Sequence, residues 1–240
     1  MNIQIEAYTA PGSRKENEDS FFAERPAPQV AFAAVADGLG GHGGGKAASQ
    51  IAIQALRACH TNLCLPGQEK IARWLDEANW EILAMRSSPS HMKTTAVFLA
   101  VEGNRAIWAH IGDSRLYHFT DGGLDHFTLD HSMCQLAVQL GEITRDQIPN
   151  HPDRNCLLKV LGEEKITPEF HQAVKLNPGR HAFLLCTDGL WERLVEAEIG
   201  LDLQKSATPG EWIDYLRRRA EKRKWTNVDN NTAVAVFVEV

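Results

Sequence analysis

Residues 2–7 of the opening stretch NIQIEAYTA alternate polar and apolar, which predicts an edge or half-exposed strand. Residues 30–36, VAFAAVA, are apolar throughout and stop at a glycine cluster, which predicts a buried strand. A strand over 20–24 is expected to pair with it through a turn at Pro26 and Pro28. From Lys46 the spacing of Ala48, Ile51, Ala55 and Ala58 predicts an amphipathic helix. Ile71, Trp74, Leu75, Ala78, Ile82 and Met85 predict a second helix over 68–86, with that stripe in the core. Residues 94–128 read as three strands of an antiparallel meander. Its turns fall at Gly103 with Asn104, at Gly112 with Asp113, and at Asp121 with Gly122 and Gly123, so Asp113 is expected at a hairpin tip. Residues 130–162 change to mixed helix and loop, with helical spacing at Met133, Leu136, Ala137 and Leu140. This segment is expected to be a mobile excursion beside the core that shapes access to a site, and its His131 and His151 read as solvated. A strand over 168–174, a short buried strand over 181–187, helix-like LWERLVEAE, a helix over 209–222 and the strand AVAVFVEV complete the pattern.

Composition narrows the function without naming it. With 240 residues, 43% hydrophobic and 23% charged, the chain can build one sizeable core, and one domain over 1–240 is expected. A net charge of -6 argues against nucleic acid as a partner. The basic cluster of Arg217, Arg218, Arg219, Lys222, Arg223 and Lys224 reads as the solvated face of a terminal helix. No apolar run approaches the roughly 18 residues of a membrane span, and no signal peptide precedes the first strand, so a cytoplasmic protein without membrane insertion is expected. Five cysteines without a CxxC pair read as buried free thiols.

The candidate chemistry is acidic. Asp37 ends the strand over 30–36, and six of the eight residues from 38 to 45 are glycine, which lets the backbone approach a ligand closely and offers the Gly38 carbonyl to a hard ion. Asp188 and Asp229 also stand at strand ends, and Glu18 and Asp19 stand at a strand start beside Arg14. Carboxylates that converge repel one another, which divalent cations relieve. An all-oxygen donor set favours Mg²⁺ or Mn²⁺ over Zn²⁺. Paired ions of this kind activate water for attack on phosphorus while an arginine fork grips the phosphate oxygens, so metal-assisted phosphoester hydrolysis is the expected reaction class.

The blocks RKENED (14–19), VADGLGGHGGGKAAS (35–49), KTT (93–95), HIGDSRLY (110–117), DHS, LGEIT, NHPDRN, CTDGLW (186–191) and DNNT (229–232) occur in one order across almost the whole chain. In that order the chain resembles the PP2C, or PPM, metal-dependent serine/threonine protein phosphatases in their small bacterial form. The resemblance implies an α+β fold, a four-layer α-β-β-α sandwich of two antiparallel sheets flanked by helix pairs. It implies that Asp37 bridges two Mn²⁺ or Mg²⁺ ions, that the Gly38 carbonyl ligates one, and that Asp188 and Asp229 complete the other. Glu18 and Asp19 would hold metal-bound waters, Arg14 would bind substrate phosphate, and Asp113 with Asp188 would form a third metal site. His42 and Asn230 are further candidates, and 131–160 would be the flap. Leu39 stands where animal members carry a histidine proton donor, which leaves the general acid unassigned. Lys93 replaces the usual glycine before Thr94 and Thr95. The expected function is a monomeric phosphatase of phosphoserine and phosphothreonine proteins that opposes a bacterial Ser/Thr kinase, with a type VI secretion regulatory pair as one setting. The alternatives are a catalytically inactive binding module on the same fold and a hydrolase of other phosphoesters.

Overall fold

The computed structural model describes residues 1–40, 44–58, 64–86, 92–223 and 227–240. The long apolar strands are buried on both faces, because each sheet is sandwiched between its partner sheet and a layer of helices. In β3 (Val30–Ala36), Phe32, Ala34 and Ala36 face the helices α1 (Gly44–Arg57) and α2 (Gln68–Met85), while Ala31, Ala33 and Val35 face the opposite sheet. This explains why that strand shows no polar alternation. The same division holds at the other end of the chain. In β12 (Asn231–Glu239), Val234, Val236 and Val238 point between the sheets, and Ala233, Ala235 and Phe237 meet α5 (Glu196–Gln204) and α6 (Pro209–Lys222). The result is the expected α-β-β-α sandwich.

One five-stranded antiparallel sheet runs β1 (Asn2–Ala10), β12, β11 (Arg180–Cys186), β8 (Arg115–Thr120) and β9 (Gly123–Phe127). The other runs β10 (Glu169–Lys175), β7 (Arg105–Ile111), β6 (Ala96–Glu102), β3 and β2 (Ser20–Ala27). The opening strand is an edge, as its alternation predicts. The meander is corrected: 96–127 holds four strands, and β7 and β8 belong to different sheets. Asp113 therefore sits where the chain crosses between the sheets and not at a hairpin tip. Register alone could not reveal this, since a tight turn and a crossing use the same glycine chemistry.

Further expectations change. The stretch after Asp188 is two helices, α4 (Asp188–Trp191) and α5, with a break at 192–195. In α3 (Met133–Gln139) the buried side chains are Cys134 and Gln135, while Met133, Leu136 and Leu140 are exposed, and Met85 of α2 is exposed too. Segment 131–160 is anchored by Cys134 and Ile148, which join the core beneath α5 and α6. The basic cluster is engaged as well as solvated. Arg219 forks onto Asp202 at 2.7 Å, Arg223 reaches Glu198 at 2.6 Å, and Arg217 lies 4.2 Å above the Tyr8 ring. Of the cysteines, Cys134 and Cys186 are buried free thiols as expected, Cys64 and Cys156 are exposed, and Cys59 lies outside the described residues. Among the described residues no helix is long and apolar enough to cross a membrane.

Candidate active site

Asp37 leaves β3 into the two-residue strand β4 (Gly38–Leu39), which pairs with β5 (Lys93–Thr94). The clasp is specific. Thr95 Oγ1 accepts from the Asp37 amide at 2.9 Å, the Thr95 amide donates to the Asp37 carbonyl at 2.9 Å, and Thr94 Oγ1 donates to the same carbonyl at 2.7 Å. Thr95 Oγ1 also bonds Ser114 Oγ at 2.7 Å, which ties Asp37 to the crossing that carries Asp113. A Cβ at Gly38 would lie 2.3 Å from the Gly45 carbonyl oxygen and 2.6 Å from that of Glu18, so the glycine loop needs this residue to pack against the Glu18 segment. The Lys93 departure is accommodated at the surface of this clasp, where its ammonium pairs with Glu163 at 2.5 Å.

Asp188 begins α4 directly behind β11, and Asp229 lies two residues before β12. A Cβ on Gly189 would meet the Asn230 carbonyl oxygen at 2.0 Å, so these two segments run in contact. Asn230 is buried and structural: its amide donates to the Pro11 and Glu16 carbonyls at 2.9 Å, and its Oδ1 accepts from the Glu18 amide at 2.8 Å. Asp19 lies beneath, 3% exposed, with Oδ2 accepting from Thr187 Oγ1 at 3.0 Å and Thr232 Oγ1 at 2.7 Å. Sequence reasoning assigned no role to these two threonines, although each neighbours an acidic block, in CTDG and DNNT.

A cavity of about 690 Å³ is lined by Arg14, Glu18, Asp37, Gly38, Asp113, Asp188, Asp229 and Asn230 among others, so the structure brings the predicted set together. His42 lies outside the described residues. Asn155 and Leu157 of the 131–160 segment close one rim. The electrostatics are those of crowded anions. Burial, then the charges of Asp188, Asp19 and Asp113, push Asp37 well above the usual carboxylate range. Burial and then the Asp188 charge do the same to Asp113. Burial raises Asp19, Glu18 and Asp188. Asp229 is held differently: Arg14 forks onto it, Nε to Oδ1 at 2.9 Å and Nη2 to Oδ2 at 2.6 Å.

Two oxygens test whether cations fit here. Asp19 Oδ1 and Asp188 Oδ1 are buried and take no hydrogen bond among the described residues. A carboxylate oxygen can only accept, and leaving it buried without a donor costs about 1–3 kcal/mol. Converging hard oxygens with unsatisfied lone pairs suit Mg²⁺ or Mn²⁺, so the residues fit the ions.

His131 is corrected. It is buried at 7% exposure and stacked on His110 with ring centroids 4.6 Å apart. Glu169 stands near both rings, which gives a His-His-Glu group with the outline of a metal site. The hydrogen bonds speak against it. His131 Nδ1 accepts from the Gly112 amide at 3.1 Å, and burial pushes the ring down to about 3, so it is neutral with its proton on Nε2 and has no lone pair facing Glu169. Its work is to brace the Gly112 crossing. His151 is half-buried, and its Nδ1 accepts from the Asp153 amide at 3.2 Å.

The Protein phosphatase 2C family model matches residues 12–229. The chain belongs to this family. A serine/threonine phosphatase stp of Listeria innocua is 32% identical over 231 residues, which cover 93% of this chain and 90% of that protein. The catalytic domain of the serine/threonine protein phosphatase PstP, in complex with two manganese ions, superposes with a TM-score of 0.83 at 30% identity over 99% of both chains. PppA, a key regulatory component of T6SS in Pseudomonas aeruginosa, superposes at 0.78 with 28% identity over 98% of this chain and 97% of that one.

Proposed function

We propose that this chain is a metal-dependent phosphoprotein phosphatase that hydrolyses phosphoserine and phosphothreonine with two divalent ions. The observation that carries this reading is the convergence of Glu18, Asp37, Asp113, Asp188 and Asp229, from separate segments, on one cavity above unpartnered Asp19 and Asp188 oxygens. Asp37 would hold both ions, the Gly38 carbonyl would ligate one, Asp188 and Asp229 would complete the other, and Glu18 and Asp19 would orient water. The manganese complex of PstP supports two ions, and Asp113 beside Asp188 supports a third. When bound, the ions lower the pKa of water and neutralise the phosphate.

The chain's own groups supply the rest. Arg14 is 59% exposed and its pair with Asp229 is a surface one, worth about 0–1 kcal/mol, so the guanidinium exchanges Asp229 for a substrate phosphate at little cost. Thr187 and Thr232 keep Asp19 in one rotamer, and the Thr94 and Thr95 clasp keeps Asp37 at the mouth. We read residues 131–160 as the flap, whose Asn155 and Leu157 meet the substrate. The expected setting is a cytoplasmic monomer opposing a Ser/Thr kinase, with likeness to PppA supporting a T6SS role.

The test uses metal-stripped protein with para-nitrophenyl phosphate and a phosphothreonine peptide, before and after Mn²⁺ or Mg²⁺. Turnover of both that appears only with metal is the expected result. Metal binding without turnover would mark a binding module and overturn the proposal.

A further inference from the structure

Arg193 follows α4 and is 5% exposed, yet among the described residues it forms no salt bridge. Its Nε donates to the Gly189 carbonyl at 2.7 Å, and its remaining nitrogens take no hydrogen bond among the described residues. A buried guanidinium without a counter-ion is costly, and such groups are normally paired. Burial lowers its pKa, offset only in part by Tyr8, Glu221 and Glu192 nearby. Arg193 faces a cavity of about 430 Å³ that it shares with Tyr8, Arg217, Glu221, Arg223 and Asn231.

Arg217 is also under-used. Its contacts to Asp214 and Glu221 are long, at 3.7 and 3.9 Å, and its Nε is buried without a partner. Arg223 is already committed, to Glu198 at 2.6 Å and to the Arg193 carbonyl at 2.8 Å. The lining thus holds three cations against one carboxylate, Glu221, on a protein whose net charge is -6. The cavity also continues toward the chemistry. A neighbouring space of about 390 Å³ shares Ser13 and Arg193 with it, and shares Arg14, Asp188 and Asp229 with the acidic site.

We infer that Arg193 and Arg217 form a second phosphate-binding site behind the active site. Two guanidinium groups that still hold donors without a hydrogen bond among the described residues match a dianion better than a single carboxylate. The phosphate has two possible sources, a second phosphorylated side chain on the substrate or inorganic phosphate. The first source rests on the phosphatase reading, and the site itself does not.

The test takes the manganese-loaded wild type, Arg193→Gln and Arg217→Gln. The kcat/KM is measured on a phosphothreonine peptide and on the same peptide with a second phosphothreonine nearby. A wild-type preference of about tenfold for the doubly phosphorylated peptide is expected, the size of one charge-assisted hydrogen bond, and each variant brings the ratio to near one. Arg217→Gln keeps the test open if Arg193→Gln, which loses the Gly189 bond, fails to fold. In parallel, the arginine Nε–Hε resonances are followed by NMR as inorganic phosphate is added. A shifted Arg193 signal without peptide preference assigns the site to free phosphate. No preference and no shift, or equal losses on both peptides in both variants with no shift, would overturn the site. A wild type that cleaves neither peptide sinks the phosphatase reading alone, and the titration still decides the site.

Discussion

Arg14 and Asp229 neutralise each other across the mouth of the cavity, and each is the group the other would release on binding substrate and cation. Arg14→Ala is therefore expected to raise KM for para-nitrophenyl phosphate while kcat falls less. Steady-state kinetics with saturating metal check this, and an unchanged KM would place the phosphate elsewhere. Asp37 behaves in the opposite sense. It is a buried acid among Asp188, Asp19 and Asp113, so it destabilises the metal-free fold that it serves. Asp37→Asn removes one of the crowded charges. The metal-free variant should melt no lower than wild type, while metal-dependent turnover falls on the order of a hundredfold or more. Thermal melts and initial rates separate the two effects, and turnover near the wild-type rate would remove Asp37 from the chemistry.

At the scale of elements, the site hangs on a short clasp. β4 and β5 hold Asp37, and the crossing from β7 to β8 brings Asp113 in through Ser114, Thr95 and Gly112. Gly112 has φ +102°, and a Cβ there would lie 2.5 Å from Thr95 Cγ2. Gly112→Ala combines a left-handed backbone with a clash against the residue that binds Asp37. It is expected to cost about 1–3 kcal/mol in denaturant unfolding and to reduce turnover beyond what lost stability explains. A variant as stable and active as wild type would mean the crossing can relax. The 131–160 segment shows what local pattern misses at this scale. Its apolar residues stand at helical spacing, yet Met133, Leu136 and Leu140 face solvent, while Cys134 and Ile148 pack into the core and Gln135 is buried.

For the molecule as a whole, metal acts on stability through the acidic cluster, and protons act both there and at buried histidines. Ions that bind only the folded state raise the melting temperature with concentration, and this rise should vanish in Asp188→Ala. Calorimetry with and without Mn²⁺ tests it, and an equal rise in both proteins would exclude Asp188 as a ligand. The histidine share runs in a definite direction. Burial, with the neighbouring His110, pushes His131 down to about 3, and burial with His181 takes His118 to about 4, against an ordinary 6.5. Below 6.5 the unfolded chain binds protons that the folded rings refuse. This contribution is present above pH 6.5 and is lost as pH falls from there toward about 4 for His118 and about 3 for His131. His131→Asn should show a shallower loss than wild type over that window in denaturant midpoints, and parallel curves would mean His131 does not titrate on unfolding.

Much of this was legible in the residues alone. Strands over 30–36 and 181–187 and the helix over 209–222 are written in local periodicity, and an Asp followed by Gly marks where a strand stops and a ligand can approach. The ordered blocks carried the family, the two sheets and the acidic set, because those depend on residue type and spacing along the chain. Tertiary structure alone decided which strands share a sheet, since the turn at Gly112 serves a crossing as well as a hairpin. It likewise buried His131 against His110, set Thr187 and Thr232 on one oxygen of Asp19, and left Arg193 without a salt bridge among the described residues. Each of these turns on a partner distant in sequence, selected by how the two sheets pack, and nothing in the neighbouring residues specifies it.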